Sequence, residues 1–179
     1  MQEGPAARAK KYLKDNASER ILTICRSLLC HRPIYDMCCD HGIIGLYAFY
    51  EGGFPSLHLI DSSQSVIDSL NQRLSYYGLK DDKIFVYHKD AASMDIRQKS
   101  SNIVIAGIGA KNMVKILDNL LPRLKGAHRL ILGPQTQIAF MENYLASLNT
   151  EGFSVRAASE KKRQRFIYTL DFNSDLCDG

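Results

Sequence analysis

The sequence predicts an α/β fold: a mostly parallel, seven-stranded sheet with one antiparallel strand and helices on both faces. Short, almost continuously apolar runs, such as Asn102–Ala106 (NIVIA), alternate with stretches whose apolar residues recur at helical spacing. Runs of that kind are strands buried on both faces, as in a parallel sheet. Two closing strand candidates are joined by a short charged segment, which reads as a hairpin and turns one strand antiparallel.

The elements follow in order. Asp15-Asn16-Ala17-Ser18 supplies capping oxygens ahead of Ile21, Leu22, Ile24, Cys25, Leu28 and Leu29, so a helix is expected near 18–30, preceded by a more polar helix or arm. Pro33 stops it, and Ile34–Cys38 reads as a buried strand. Gly42 to Glu51 reads as a helix ended by Gly52-Gly53. Ser56 to Ile60 is a strand closing on Asp61. Val66, Ile67, Leu70, Leu74 and Tyr77 then mark a helix closed by Gly78. Lys83–His88 and Asn102–Ala106 are strands. Met113, Leu117, Leu120 and Leu124 share a helical face, and Arg129–Leu132 is the next strand. Phe140, Met141, Tyr144, Leu145 and Leu148 form the last helical stripe before strands at Phe153–Ala158 and Arg165–Phe172. Five βα units followed by a hairpin is the order of the Rossmann-like class I methyltransferase fold. The expected organisation is a helical segment over 1–30 capping the sheet and a core over 31–179, in a single domain.

Composition sets limits. The 179 residues, 45% hydrophobic and 23% charged, are enough for one core without staples. No apolar run approaches the roughly 20 residues that span a bilayer. Met1-Gln2-Glu3-Gly4-Pro5 lacks the apolar centre of a signal peptide, so a cytoplasmic protein is expected. The cysteines Cys25, Cys30, Cys38, Cys39 and Cys177 are odd in number and form no CxxC pair, which argues for reduced thiols and against a structural zinc site. No metal is expected. Net charge is only +4, but Arg8, Lys10, Lys11 and Lys14 cluster near the start and Lys161, Lys162, Arg163 and Arg165 near the end. Such clusters neutralise phosphates or form a solvated face.

In a doubly wound sheet, ligands sit beyond the carboxyl ends of the strands at the switch point. The first such loop, Asp36-Met37-Cys38-Cys39-Asp40-His41-Gly42, is not GxGxxG. Its small residues let a ligand approach, and its carboxylates suit an ammonium or a ribose better than a pyrophosphate; a plain turn with Asp40 capping the next helix is the alternative. Asp61, at the end of the second strand, can accept from both hydroxyls of a ribose, or cap the helix that follows. Asp90 and Ala91 after the third strand suit an adenine edge. Gly107, Ile108 and Gly109 after the fourth open the edge where donor and acceptor meet, or simply turn the chain.

With those residues in place, the chain resembles the TrmK family of bacterial tRNA methyltransferases, which modify N1 of an adenine. Cys39-Asp40-His41-Gly42 resembles the family's DHA turn and Ile105-Ala106-Gly107-Ile108-Gly109 its IAGMGG segment. Ser18-Glu19-Arg20-Ile21 resembles its S-K-R-L opening and Arg129–Pro134 its RLILQP stretch. The resemblance runs from about Ser18 to Phe172. It implies S-adenosylmethionine (SAM) as cofactor, held by Asp36, Cys38, Cys39, Asp40, His41, Gly42, Asp61, Ser62, Asp90, Ala91, Gly107, Ile108 and Gly109. It implies a catalytic role for Asp40 and a substrate-facing Arg20; on such a substrate the basic cluster of Arg8, Lys10, Lys11 and Lys14 is the candidate for holding tRNA phosphates. Cys38 and Ala110 stand where the family has glycine, and no counterpart of its C-terminal helical extension is expected here. The fourth strand is not followed by the Asn/Asp-Pro-Pro-aromatic motif of amino-group methyltransferases. A small-molecule methyltransferase, or an inactive module of the same fold that binds RNA or protein, stays open, as does a protein partner or homo-oligomer.

Overall fold

The computed structural model describes residues 5–148 and 152–172; the readings on Met1–Gly4 and on Cys177 lie outside them. The chain runs α1 (Pro5–Asn16), α2 (Glu19–Cys25), β1 (Ile34–Met37), α3 (Ile43–Gly52), β2 (Leu57–Asp61), α4 (Gln64–Tyr77), β3 (Ile84–His88), β4 (Ser100–Ala106), α5 (Ala110–Leu120), β5 (Ala127–Gly133), α6 (Ile138–Ser147), β6 (Ser154–Glu160) and β7 (Arg163–Phe172). The seven strands form one sheet in the order β3-β2-β1-β4-β5-β7-β6. All are parallel except β7, which runs antiparallel to both β5 and β6.

Alternation along the strands divides the core into two layers. Ile103 and Ile105 of β4, with Leu130 and Leu132 of β5, pack against Met113, Leu117, Met141 and Leu145 of α5 and α6. Val104 and Ile131 point the other way, into a layer with Ile24, Leu46, Leu70 and Leu74 of α2, α3 and α4. Each fully buried aliphatic side chain stabilises by about 1.5–3 kcal/mol, so the central strands anchor both layers. Ala9 and Leu13 of α1 are buried in the second layer, and Tyr12 stacks on Tyr77 of α4 with centroids 3.9 Å apart.

Two elements differ from the sequence reading. Helix α2 stops at Cys25 although Leu28 continues its apolar face. The ladder tightens first, with Ser27 and Leu28 N–H donating to Ile24 and Cys25 carbonyls at 3.0 and 3.2 Å, and the Leu29 N–H then donates to Asn102 Oδ1 on β4 at 2.8 Å instead of resuming it. Between β3 and β4 the expected βα unit has only a 3₁₀ turn, Ala91–Ser93, and the buried Met94 and Ile96 fill the place of a helix. Apolar side chains two apart suit an extended segment.

The strand order reverses between β1 and β4, where the crossovers leave towards opposite faces. Register sets Met37 beside both Ile60 and Ile105. The loops after β1, β2 and β4 therefore open onto one crevice at the carboxyl end of the sheet.

Candidate active site

That crevice is a cleft of about 830 Å³. Its floor is the β1–α3 turn, in which Cys38 (φ 57°), Asp40 (φ 49°) and Gly42 (φ 70°) all take left-handed conformations. The backbone thus explains why a glycine would suit position 38: Cys38 occupies a conformation that a Cβ disfavours. Burial pushes the Cys38 thiol up to about 11, with Asp61 and Asp36 adding to it, so it is no thiolate at neutral pH.

Asp36 is the buried carboxyl of the site, 2% exposed on β1. Its Oδ2 accepts from the Gly45 N–H at 2.9 Å. Glycine lets α3 pack close there: a Cβ at position 45 would meet Leu57 Cδ1 at 2.6 Å and Asp36 Oδ2 at 3.1 Å, so these side chains would have to shift. Burial pushes the Asp36 carboxyl up to about 7, against the lowering effects of the Gly45 N–H and the Arg20 charge.

Asp61 holds two backbone amides, accepting from Asp40 N–H at 3.2 Å on Oδ2 and from Ser63 N–H at 3.0 Å on Oδ1. Both bonds orient the carboxylate and leave each oxygen a further lone pair towards the cleft. Ser63 is the N-cap of α4, and Gly42, not Asp40, is the N-cap of α3.

The opposite wall comes from β6, 140 residues away in sequence. Arg20 Nε donates to Glu160 Oε1 at 2.8 Å, and Arg165 Nε donates to Glu160 Oε2 at 3.2 Å. Ser18, the N-cap of α2, donates to Glu160 Oε1 at 3.4 Å. Burial works against ionisation of Glu160, but the two guanidiniums outweigh it and hold its pKa below the ordinary value. Arg20 Nη1 is buried and has no hydrogen-bond partner among the described residues. With its side chain only 14% exposed, Arg20 stands apart from the exposed Arg8, Lys10, Lys11 and Lys14 of α1.

Asp40 and His41 sit at the mouth, 68% and 64% exposed. Arg73 of α4 donates to the His41 carbonyl at 3.3 Å and to His41 Nδ1 at 3.2 Å. A guanidinium only donates, so Nδ1 accepts and the ring proton sits on Nε2. The 3.6 Å approach of Asp40 Oδ1 to the same nitrogen is therefore the weaker contact.

Of the residues expected to bind the cofactor, the cleft gathers Asp36, Cys38, Cys39, Asp40, His41, Asp61, Ser62, Gly107 and Ile108. Gly42, Asp90, Ala91 and Gly109 lie outside its lining. Gly42 and Gly109 are helix N-caps, and Asp90 Oδ1 caps the 3₁₀ turn through Ala92 N–H at 3.0 Å. Sequence reasoning missed Glu160 and Gln135 in the lining and Arg73 beside it, while Lys161, read only as part of a basic cluster, also lines the cleft. Gln135 could have been found, since it follows a parallel strand at its carboxyl end; Arg73 carried no sequence signal.

The strand order and this cleft define the class: a Rossmann-like α/β protein with its site at the switch point of the methyltransferase arrangement. Residues 17–170 match the family described as methyltransferase domain, and the chain belongs to that family. No curated protein matches the sequence. Among solved structures it is similar to Streptococcus pneumoniae Sp1610 in complex with S-adenosyl-L-methionine (TM-score 0.75, 22% identity, covering 86% of this chain and 72% of that one). It is also similar to the B. subtilis m1A22 tRNA methyltransferase TrmK (0.75, 19%, 85% and 64%). A third is M. capricolum TrmK in complex with S-adenosyl-homocysteine (0.72, 16%, 87% and 69%). At these identities the likeness is one of fold, and the chain spans about two-thirds of the length of those proteins. No helix among the described residues is long and apolar enough to cross a membrane.

Proposed function

We propose that this chain is a SAM-dependent methyltransferase that acts on tRNA, at N1 of an adenine. The observation that carries the reading is the row of Arg20, Asp36 and Asp61 along one cleft, complementary to a carboxylate, an ammonium and a ribose diol in turn. SAM carries those three groups.

The residues present fit it. Arg20 lines the cleft, and its guanidinium, which only donates, would take the carboxylate of the amino-acid tail. Asp36 would receive the ammonium, whose charge offsets the desolvation that raises its pKa. Asp61, oriented by its two amides, would take the ribose hydroxyls, and the free oxygen of Asp90 an adenine edge. At Gly107 (φ 86°) a Cβ would meet only Gln135 Nε2, at 3.8 Å, so backbone and open space meet there.

When bound, SAM supplies a methyl group already activated by a sulfonium. Adenine N1 offers an in-plane lone pair, so this chain needs no base to deprotonate it. The residues' work is positioning and exclusion of water. Asp40, at the mouth and tied through its N–H to Asp61, accepts from the adenine N6 amine and raises electron density at N1. His41, held by Arg73, fixes the turn that carries Asp40. A base in folded tRNA must leave its stack to reach this cleft. The exposed basic residues of α1 hold phosphates meanwhile; Lys14 is in its last turn, next to Asp15 and Asn16 of the cleft rim.

The test is transfer of labelled methyl groups to unmodified tRNA, followed by nucleoside analysis. Label in N1-methyladenosine is the expected result. Label appearing only in small-molecule acceptors would replace RNA as the substrate class.

A further inference from the structure

We infer that the tip of the β6–β7 hairpin is a phosphate grip that holds the substrate RNA at the cleft mouth. The inference rests on the reading above, that the substrate is an RNA. Glu160 pairs with Arg163, so the connection is only Lys161-Lys162. Both lysines have positive φ, 46° and 64°. A two-residue hairpin turn of this kind favours Asn-Gly, because L side chains rarely adopt that conformation. Two lysines here carry backbone strain that an ordinary solvated turn has no reason to keep, and such strain gathers at functional sites.

Position gives the strain a use. Lys161 lines the active cleft, on the wall facing the Asp40 turn. Lys161, Lys162 and Arg163 are exposed, and none takes part in an ion pair among the described residues. The arm beneath them is fixed. Glu160 is clamped by Arg20 and Arg165, and Arg165 Nη1 also donates to the Gln135 carbonyl at 3.0 Å, fastening the hairpin to the loop after β5. A rigid arm presenting unpaired cations beside the catalytic turn matches the backbone of a nucleic acid whose target base has entered the cleft.

The test replaces the turn with its preferred residues, Lys161→Asn with Lys162→Gly, which relieves strain while removing two charges. Melting temperature and S-adenosylhomocysteine affinity should be unchanged or higher, so a loss of RNA binding is not misfolding. The log–log salt dependence of binding to an unmodified tRNA transcript should become shallower by about 1.5, with affinity roughly 10- to 30-fold weaker at about 0.15 M salt. The KM for tRNA should rise. An unchanged salt slope in the variant overturns the inference and leaves the enzymatic reading standing. A wild-type chain that binds S-adenosylhomocysteine but no tRNA overturns both this inference and the RNA substrate.

Discussion

Replacing Arg20 with methionine tests the cleft at its most specific point. The guanidinium sits 14% exposed beside Glu160 and lines the cofactor cleft. Methionine keeps much of the stem and removes the donor. Glu160 retains Arg165, at 3.2 Å, so the wall keeps one of its two clamps. A hydrogen bond to a charged group is worth about 1.5–3 kcal/mol, so loss of the carboxylate contact should cost about 2 kcal/mol, or roughly 30-fold in affinity. Calorimetry with two ligands isolates it. S-adenosylhomocysteine has the amino-acid tail, and 5′-methylthioadenosine has the same nucleoside without it. The variant should bind the first about 30-fold more weakly and the second within about twofold of wild type. Equal losses for both ligands would show that Arg20 shapes the pocket as a whole, and no loss for either would remove it from the site.

Three further outcomes follow from the same geometry. Asp40→Ala should reduce methyl transfer by more than about 100-fold at saturating SAM with S-adenosylhomocysteine affinity nearly intact, since its side chain lies at the exposed mouth; full turnover would take Asp40 out of the reaction. Asp61→Ala should weaken S-adenosylhomocysteine and methylthioadenosine alike by roughly 10- to 100-fold, because both carry the ribose; unchanged affinity would count against its role. Asp36 gives the pH dependence. Its pKa is raised from the ordinary 3.8 to about 7 without ligand, and an ammonium partner favours the ionised form. Ligand binding should therefore release a proton and strengthen as pH rises through about 7, then level off. The contribution of Asp36 to the stability of the free protein should run the other way, falling as pH rises from about 4 to about 7, because the native state holds that proton more tightly than the unfolded chain; His58, lowered to about 4 by burial, contributes in the opposite sense. Asp36→Asn should remove both contributions, seen as buffer-independent binding heats near pH 7 and a melting temperature that rises more steeply with pH over that range than in the wild type.

The fold was largely legible because its evidence is local. Apolar runs such as Ile103–Ile105 and stripes such as Met113 and Leu117 announce strand and helix within a few residues, and the short charged link between β6 and β7 announces the hairpin. The boundaries that failed were set from a distance. Asn102 takes the Leu29 N–H that would have resumed the ladder of α2, and no periodicity within the helix encodes that. The missing helix between β3 and β4 was foreshadowed by Met94 and Ile96, two apart and too sparse for a helical stripe. The site divides in the same way. Asp36, Asp61 and Gly107 lie at or just past the carboxyl ends of strands, where topology alone puts ligand contacts. The second wall depends on α2 packing against the edge strand β6, joining Arg20 to Glu160, and that pairing exists only in three dimensions. The depth of Asp36, which decides its protonation, likewise depends on Gly45 letting α3 pack close. The basic α1 residues were legible as a cluster, but the burial of Ala9 and Leu13 shows that deleting the helix would damage the core. Charge substitutions at Lys10, Lys11 and Lys14 are the cleaner probe.

The measurement closest to the central claim is calorimetric titration of the purified chain with S-adenosylhomocysteine. Saturable binding at one site per chain, releasing a proton near pH 7, is the expected result. A flat titration from a folded protein would contradict the claim, leaving the architecture without the chemistry assigned to it.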